Sequence, residues 1–501
     1  MNRGKRLAIN SISSLLFQMV TIICGFILPR LILSAYGSTV NGLVNSITQF
    51  IAVIGFLELG VGAVVQSSLY RPLAIKDYEE TSKILRSAEK FFKRIALILL
   101  LYLIALVAIY PRVVKKDFDV IYTITLICAM GISSFAQYYF GIVDRLLLNA
   151  DQRGYIQYNS QTITVILNTL ACVILIRYKA SIQLVKLTTS VIYIARPLFL
   201  RWYINTHYKI DRKIQYQGEP IKQKWNGVAQ HIAAVVLDGT DTIVLTLFSD
   251  LSNVSIYSVY FMVVHGVKIL FTSLTTGFQA LLGELLAKEE IDQLVSIYNW
   301  MEWLIHTATV FLFGCTASLI VPFVLIYTNG INDVNYNVPV FALLLTLANA
   351  MHCLRLPYNT MILASGHFRQ TQNNYIIATF INIVISVFTV RLWGLVGVAI
   401  GTLFAMIYQT VWMSHYVSKY FFNESMFSFT KHCFVDILSF VVAFLFCKSI
   451  HLQTLSYYSW IILGLKVSFV WISVLICVNY MFYRGYVMKL IKKVFSIIAR
   501  R

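Results

Sequence analysis

Long apolar runs alternate with short polar joints along this chain, and the rhythm repeats about 14 times. Each run stays apolar for about 20 residues instead of alternating at every second position. That pattern predicts helices crossing a bilayer core of roughly 30 Å and excludes a barrel of half-apolar strands. Spans are expected near 9–34, 41–69, 95–111, 119–143, 159–176, 182–204, 227–248, 255–282, 297–327, 338–364, 374–391, 395–417, 433–450 and 458–482. Among the joints, RPLAIKDYEETSKILRSAEKFFKR reads as a charged loop, and HYKIDRKIQYQGEPIKQK (207–224) is the longest polar connector. The final stretch, RGYVMKLIKKVFSIIARR, is basic and amphipathic. The first run exceeds the length of a signal-peptide core and lacks a small-residue cleavage site, so it reads as a retained span.

The pattern also repeats on a larger scale. LLLNADQRGYIQYNS after the fourth span resembles MILASGHFRQTQNNY after the tenth, with Asn159 aligned on Asn374 at an offset of 215. Separately, AYGSTVNGLVNSI resembles FSDLSNVSIYSVY, with Val40 aligned on Val254 at an offset of 214. The offset covers six spans, an even number, so the halves share one orientation. The expected fold is an all-α polytopic membrane protein of two six-helix bundles related by a parallel pseudo-two-fold, with a cavity between the halves. The bundles fall at 1–206 and 227–420, joined by a linker at 207–226. Two extra helices and the basic tail occupy 421–501.

Composition supports this class: 501 residues, 58% hydrophobic, mean hydropathy +0.72. A net charge of +19 would suit a nucleic-acid binder, but the basic residues sit in the joints, on alternate sides. With a cytoplasmic N-terminus, about 28 of the 41 Lys and Arg fall inside, about 7 outside and about 6 within spans, a strong positive-inside bias. Both termini are then cytoplasmic, and the basic surface suits anionic lipid headgroups rather than nucleic acid. The eight cysteines are scattered without a CxxC and read as small core residues. Phosphate-loop, zinc-protease and serine-hydrolase motifs are absent, and no large extramembrane domain offers paired acids, so no enzyme, metal or cofactor is expected.

Ionisable residues inside the spans are therefore the candidate site, because a charge at that depth needs protein, a partner or a wet cavity. In the first half they are Arg30, Glu58, Lys186 and Arg196; in the second, Asp238, Asp241, Lys268, Glu284 and Arg355. Asp436 and Lys466 lie in the final pair of spans. Lys186 and Glu284 lie near span ends and read as snorkelling to the interface. Asp436 and Lys466 read as structural, snorkelling likewise or pairing with each other. Arg30, Arg196, Lys268 and Arg355 together would make a cationic cavity, suited to phosphate or pyrophosphate and unsuited to an organic cation. Glu58 either pairs with Arg30 or joins Asp238 and Asp241 as a site for a coupling proton or Na⁺; the two aspartates, three residues apart, share one helix face and alternatively pair with an arginine, as Arg30 and Arg355 alternatively tie two helices by an ion pair.

Five stretches carry a pattern of their own: PRLILSAYGSTVNGLVNSI (29–47), FLELGVG (56–62), DGTDTIVL with Asp241, IYSVY (256–260) and WGLVGVAIGT (393–402). In that order they resemble the polysaccharide-transporter, or oligosaccharide-flippase, group of the multidrug/oligosaccharidyl-lipid/polysaccharide exporter superfamily. The first is similar to its first-helix signature, and the second resembles its Leu-Asp-Leu-Gly-Leu motif, with Glu58 for the Asp. Asp241 matches an acidic position of the seventh helix, IYSVY follows where the group has Gly-Ile-Tyr, and the last resembles the entry to helix twelve. Ile243 stands where many relatives place a basic residue, so the usual phosphate contact there is not carried over.

The resemblance implies alternating-access translocation of an undecaprenyl-pyrophosphate-linked oligosaccharide across a bacterial cytoplasmic membrane, with Arg30, Glu58 and Asp241 at motif positions. A polysaccharide polymerase and other envelope-assembly proteins are the partners it implies. The competing expectations are an ion-coupled multidrug antiporter of the same superfamily, a peptidoglycan-precursor flippase, and a membrane enzyme that ligates or modifies glycans. The last would need a larger outer loop than the ten or so residues near 328–337.

Overall fold

A computed structural model of the chain describes residues 3–216, 218, 228–423 and 425–488. Within helices, the side chains of residues 3–8, 56–60, 63, 228–235, 238, 276, 280 and 368 lie outside that description. The described chain is helical throughout: α1 (Arg3–Ala52), α2 (Phe56–Ile75), α3 (Tyr78–Val113), α4 (Val120–Ala136), α5 (Ile142–Ala150), α6 (Gly154–Arg177), α7 (Ile182–His207), α8 (Val228–Phe248), α9 (Leu251–Ala287), α10 (Ile291–Tyr327), α11 (Pro339–Leu354), α12 (Leu356–Ala364), α13 (Phe368–Trp393), α14 (Leu395–Val417), α15 (Phe427–Cys447) and α16 (Tyr457–Phe482). Eleven helical runs among the described residues are long and apolar enough to cross a membrane. The first of them, Ile9–Gly55, takes in the first expected span and the start of the second, parted at Gly37, whose φ of 83° suits a residue without a Cβ; the rest of the second span lies in α2. The run in α7 is interrupted by Lys186, Arg196 and Arg201, which sets it apart from its neighbours.

One expectation fails. The charged stretch after the second span is not a loop: its first five residues end α2, and from Tyr78 it runs on in α3, 36 continuous residues and about 54 Å at 1.5 Å per residue. Asp77 caps its start by accepting the Glu80 amide at 2.9 Å, with Glu79 and Glu80 in the first turn. Ile84, Leu85, Ala88, Phe92 and Ile95 then recur at helical spacing and are buried. They pack in one apolar cluster with Val65, Leu69, Leu147 and Leu200 of α2, α5 and α7.

Contacts divide the chain into two compact units, 1–255 and 256–501. In the first, the second half of α1 packs by polar pins: Ser46 takes the Tyr110 hydroxyl at 2.7 Å and lies 2.7 Å from Thr246, and Asn41 donates to Ser255 at 2.8 Å. Asn41 and Ser255 occupy equivalent positions of the internal repeat.

In the second unit, α13 and α14 form a tight hairpin. A Cβ on Gly401 would collide with Ser386 and with the α13 backbone, so the small-residue pattern of WGLVGVAIGT serves close approach. Helices α15 and α16 pack on α10, where Trp471 is fully buried against Gly314. Exposed faces are apolar, with Phe380, Phe388 and Leu392 on α13 and Leu465 and Phe469 on α16, as lipid contact requires.

The repeat is visible in helix boundaries. Helix starts at Tyr78 and Ile291, at Gly154 and Phe368, and at Ile182 and Leu395 keep an offset of about 214 residues. The fourth span of each set is broken: a π turn at Gln137–Gly141 parts α4 from α5, and Arg355 parts α11 from α12.

Candidate functional site

Both broken spans carry cations. In the first unit the π turn widens the helix and turns Gln137 toward α7. Its Oε1 accepts Arg196 Nη2 at 2.9 Å, immediately before Pro197. On one side of this bond is a cavity of about 470 Å³. Lys186 supplies its one cation, and Thr48, Ser133, Ser134, Thr189 and Tyr193 supply hydroxyls. On the other side is a narrow cleft in which Arg196 and Arg145 lie with Gln157 and Gln161. Among the described residues lining either space there is no carboxylate. Hydroxyls, amides and ammonium or guanidinium groups together can hold sugar hydroxyls and phosphate oxygens.

In the second unit Arg355 is 6% exposed at the α11–α12 break. Its Nη1 donates to Gln409 on α14, Nη2 meets His352 Nδ1 at 3.2 Å, and the guanidinium carbon lies 5.7 Å from the Tyr375 ring centroid. Its Nε–H is buried without a hydrogen-bond partner. Lys268 of α9, also buried, joins Arg355 in acting electrostatically on His352 and Cys353. The described partners of Arg355 are an amide, an imidazole and an aromatic ring, none of which neutralises it.

Buried carboxylates, by contrast, have partners. Arg201 Nη1 reaches Glu89 at 2.6 Å and its Nε lies 3.3 Å from Asp144. Arg212 donates to Asp144 at 2.8 Å and also pairs with Glu89. This network, which Arg86 joins at 4.0 Å from Glu89, draws the start of the linker onto α3 and α5, helped by Asp211 N–H on Ser82 at 3.1 Å and by the Tyr208 hydroxyl on Asp151 at 2.6 Å. Burial and the Asp151 carboxylate push the Tyr208 hydroxyl above its ordinary value, so it stays a donor. Thus 208–216 is docked chain, while 219–227 lies outside the described residues.

The expected site residues separate as follows. Lys268 and Arg355 come together, and Arg196 marks the first-unit site. Arg30 is half-buried on the first part of α1 and does not line the cavity. Asp241 is buried on α8. The side chains of Glu58 and Asp238 lie outside the described residues. Two readings are corrected. Lys186 does not snorkel but lines the cavity, because the π turn opposite leaves room for it. Asp436 pairs with neither Lys466 nor the interface; it meets His306 of α10 at 2.6 Å. Glu284 behaves as expected near a span end, pairing with Lys288 at the surface. Sequence reading missed Arg145, which it left in a loop; α5 continues the fourth span past it.

No family model matches the chain, and no curated protein does. Solved structures do match. One titled as the lipid II flippase MurJ, inward closed, shares a TM-score of 0.71 at 15% identity over 95% of this chain and 100% of that one. An inward-facing multidrug-resistance MATE transporter of the MOP superfamily gives 0.58 at 15% identity, over 82% of this chain and 97% of that one. The chain shares the fold of these two structures. In this fold the two cationic sites sit at repeat-equivalent breaks, one in each unit.

Proposed function

We propose that this protein is a flippase for undecaprenyl-pyrophosphate-linked oligosaccharide repeat units, supplying envelope polysaccharide synthesis in a bacterial cytoplasmic membrane. The observation that carries the reading is the charge imbalance. Lys186, Arg196 and Arg355 lie within spans, and none has a carboxylate partner among the described residues. A buried cation without a counter-ion is costly unless a ligand supplies the anion. Pyrophosphate does so, and the hydroxyl-lined cavity beside Lys186 suits sugars. Alternating access of the two units, with both termini cytoplasmic and an ion gradient as the drive, completes the proposal. The match with a lipid II flippase over 95% of the chain also supports a second reading, a peptidoglycan-precursor flippase. The two share the chemistry of the anionic head and differ in the glycan.

The test is reconstitution in proteoliposomes with labelled undecaprenyl-pyrophosphate oligosaccharide, followed by glycosidase access from outside. The wild type should expose the inner pool, and the double variant Arg196→Ala/Arg355→Ala should not. Wild-type flipping by that variant, or movement of a cationic dye in place of the lipid, would overturn the reading. Preference for a lipid II-type glycan would select the second one. Arg30→Ala, at the motif position, is expected to abolish export while leaving membrane abundance intact.

A further inference from the structure

The second unit holds a buried titratable chain that the cationic sites do not use. On α10, Glu302 and His306 sit one turn apart, 4% and 1% exposed. On α15, His432 and Asp436 are likewise one turn apart. Asp436 Oδ2 lies 2.6 Å from His306 Nδ1; His306 Nε2 lies 3.2 Å from the Tyr358 hydroxyl; that hydroxyl lies 2.7 Å from Glu302 Oε1. Glu302 Oε2 is 3.8 Å from His432 Nε2, and His432 Nδ1 is 2.9 Å from the Tyr483 hydroxyl.

Counting protons along the first four groups decides what this chain is. Three hydrogen bonds link Asp436, His306, Tyr358 and Glu302, and each needs one proton. Ionised carboxylates donate none, a neutral imidazole donates one, and a phenol donates one. The third proton must be an additional one, held either as an imidazolium at His306 or as a carboxylic acid at one end. Without it, two carboxylates share a buried site and one hydrogen bond is lost, and both effects draw a proton back.

Other titratable groups face this chain of bonds. From α10 there is also Tyr298, whose buried hydroxyl has no hydrogen-bond partner. From α15 there are Cys433 and Lys431, the latter with its ammonium 4.7 Å from the Tyr483 ring centroid. Tyr486 follows α16. Among the described residues, no group of three or more His, Cys, Asp or Glu is arranged to hold a metal ion.

Position gives the proton a consequence. Tyr358 lies on α12, three residues beyond Arg355 and across the break from α11. The chain Asp436–His306–Tyr358–Glu302 therefore ties α12, and with it the base of Arg355, to α10 and α15.

We propose that Asp436, His306, Tyr358 and Glu302 form a proton-binding site whose occupancy is coupled to anion binding at Arg355. On deprotonation the proton leaves His306 for bulk water, the bond to Tyr358 or Asp436 is lost, and α12 is freed to shift. The proton site rests on geometry alone. Its coupling rests on the anion-binding reading of Arg355.

Two measurements on the purified full-length protein test it, with gel filtration and thermal unfolding verifying each variant. In pH-difference infrared spectroscopy, the wild type should show a carboxyl–imidazole titration that is missing from both His306→Gln and Asp436→Asn. Affinity for undecaprenyl pyrophosphate should vary with pH in the wild type, by up to about tenfold per pH unit if one proton is exchanged. It should be flat in His306→Gln. An unchanged difference spectrum in folded variants overturns the proton site. If His306→Gln fails to fold, Asp436→Asn and Tyr358→Phe carry the same comparison, and a wild type without the titration overturns the site outright. A titration accompanied by pH-independent binding overturns the coupling. A titration with no binding of the probe at all supports the proton site and defeats the flippase reading.

Discussion

Two buried clusters of charge, one in each unit, are built on opposite principles. Glu89 and Asp144 hold Arg201 and Arg212 between them, with Arg86 4.0 Å from Glu89 at the edge, and every ion is in contact with an opposite one. Arg355 and Lys268 place two cations around a histidine, and Arg355 has no described anionic partner. The first arrangement satisfies itself and has no need of a ligand, whereas in the second Arg355 faces an amide, an imidazole and an aromatic ring, and the proposed flippase function has a ligand's anion complete it. On that proposal, ionisable residues in a span divide by whether the protein itself supplies the counter-ion.

The comparison is broken most forcefully at Asp144. Replacing it with Ala leaves Arg201 and Arg212 sharing one carboxylate in a buried site, and such a loss is expected to cost about 3–5 kcal/mol. Thermal unfolding of the purified protein should fall sharply, and the 208–216 segment should become protease-sensitive as Arg212 loses its hold. Near-wild-type stability would mean the network is solvated and the contrast is false. Arg355→Gln should behave in the opposite way. It removes an uncompensated cation, so stability should hold or rise, while affinity for undecaprenyl pyrophosphate should fall roughly 10- to 100-fold, the worth of a charged hydrogen bond. A destabilised variant with unchanged affinity would move Arg355 to the architectural class.

Much of this plan was legible in the chain. Apolar run length foretells an all-helical membrane fold, with about 14 spans expected and eleven runs meeting the length and hydropathy needed among the described residues, and the offset near 214 foretells helix starts as far apart as Tyr78 and Ile291. What escaped has physical reasons. The charged start of α3 averages to a polar window, and only its buried positions, Ile84, Leu85, Ala88 and Phe92, betray a helix. Lys186 near a span end looks like any snorkelling lysine, because a π turn on a neighbouring helix leaves no mark in its own sequence. The His306–Asp436 contact joins residues 130 apart on helices that sequence ties to no common face. Arg196 and Arg355 were easier to find, since an in-span guanidinium is conspicuous wherever it lies.

The smallest expected effect comes from a pair that looks most like a salt bridge on paper. Glu284 and Lys288 meet at 2.5 Å one turn apart on the end of α9, both largely exposed. The pairing lowers the Lys288 ammonium's readiness to lose its proton, holding its pKa above the usual lysine value through the Glu284 hydrogen bond. Folded pKa above unfolded means any stabilisation is present below the ordinary lysine range and is lost as pH rises through the raised value. Water and salt screen a contact of this kind almost completely. Lys288→Ala should leave both unfolding temperature and pyrophosphate-lipid affinity at wild-type values, at low and at high salt. A clear loss of affinity would place this end of α9 on the ligand's path and so add a balanced, exposed pair to the binding class, against the rule that an unmet counter-ion marks the site.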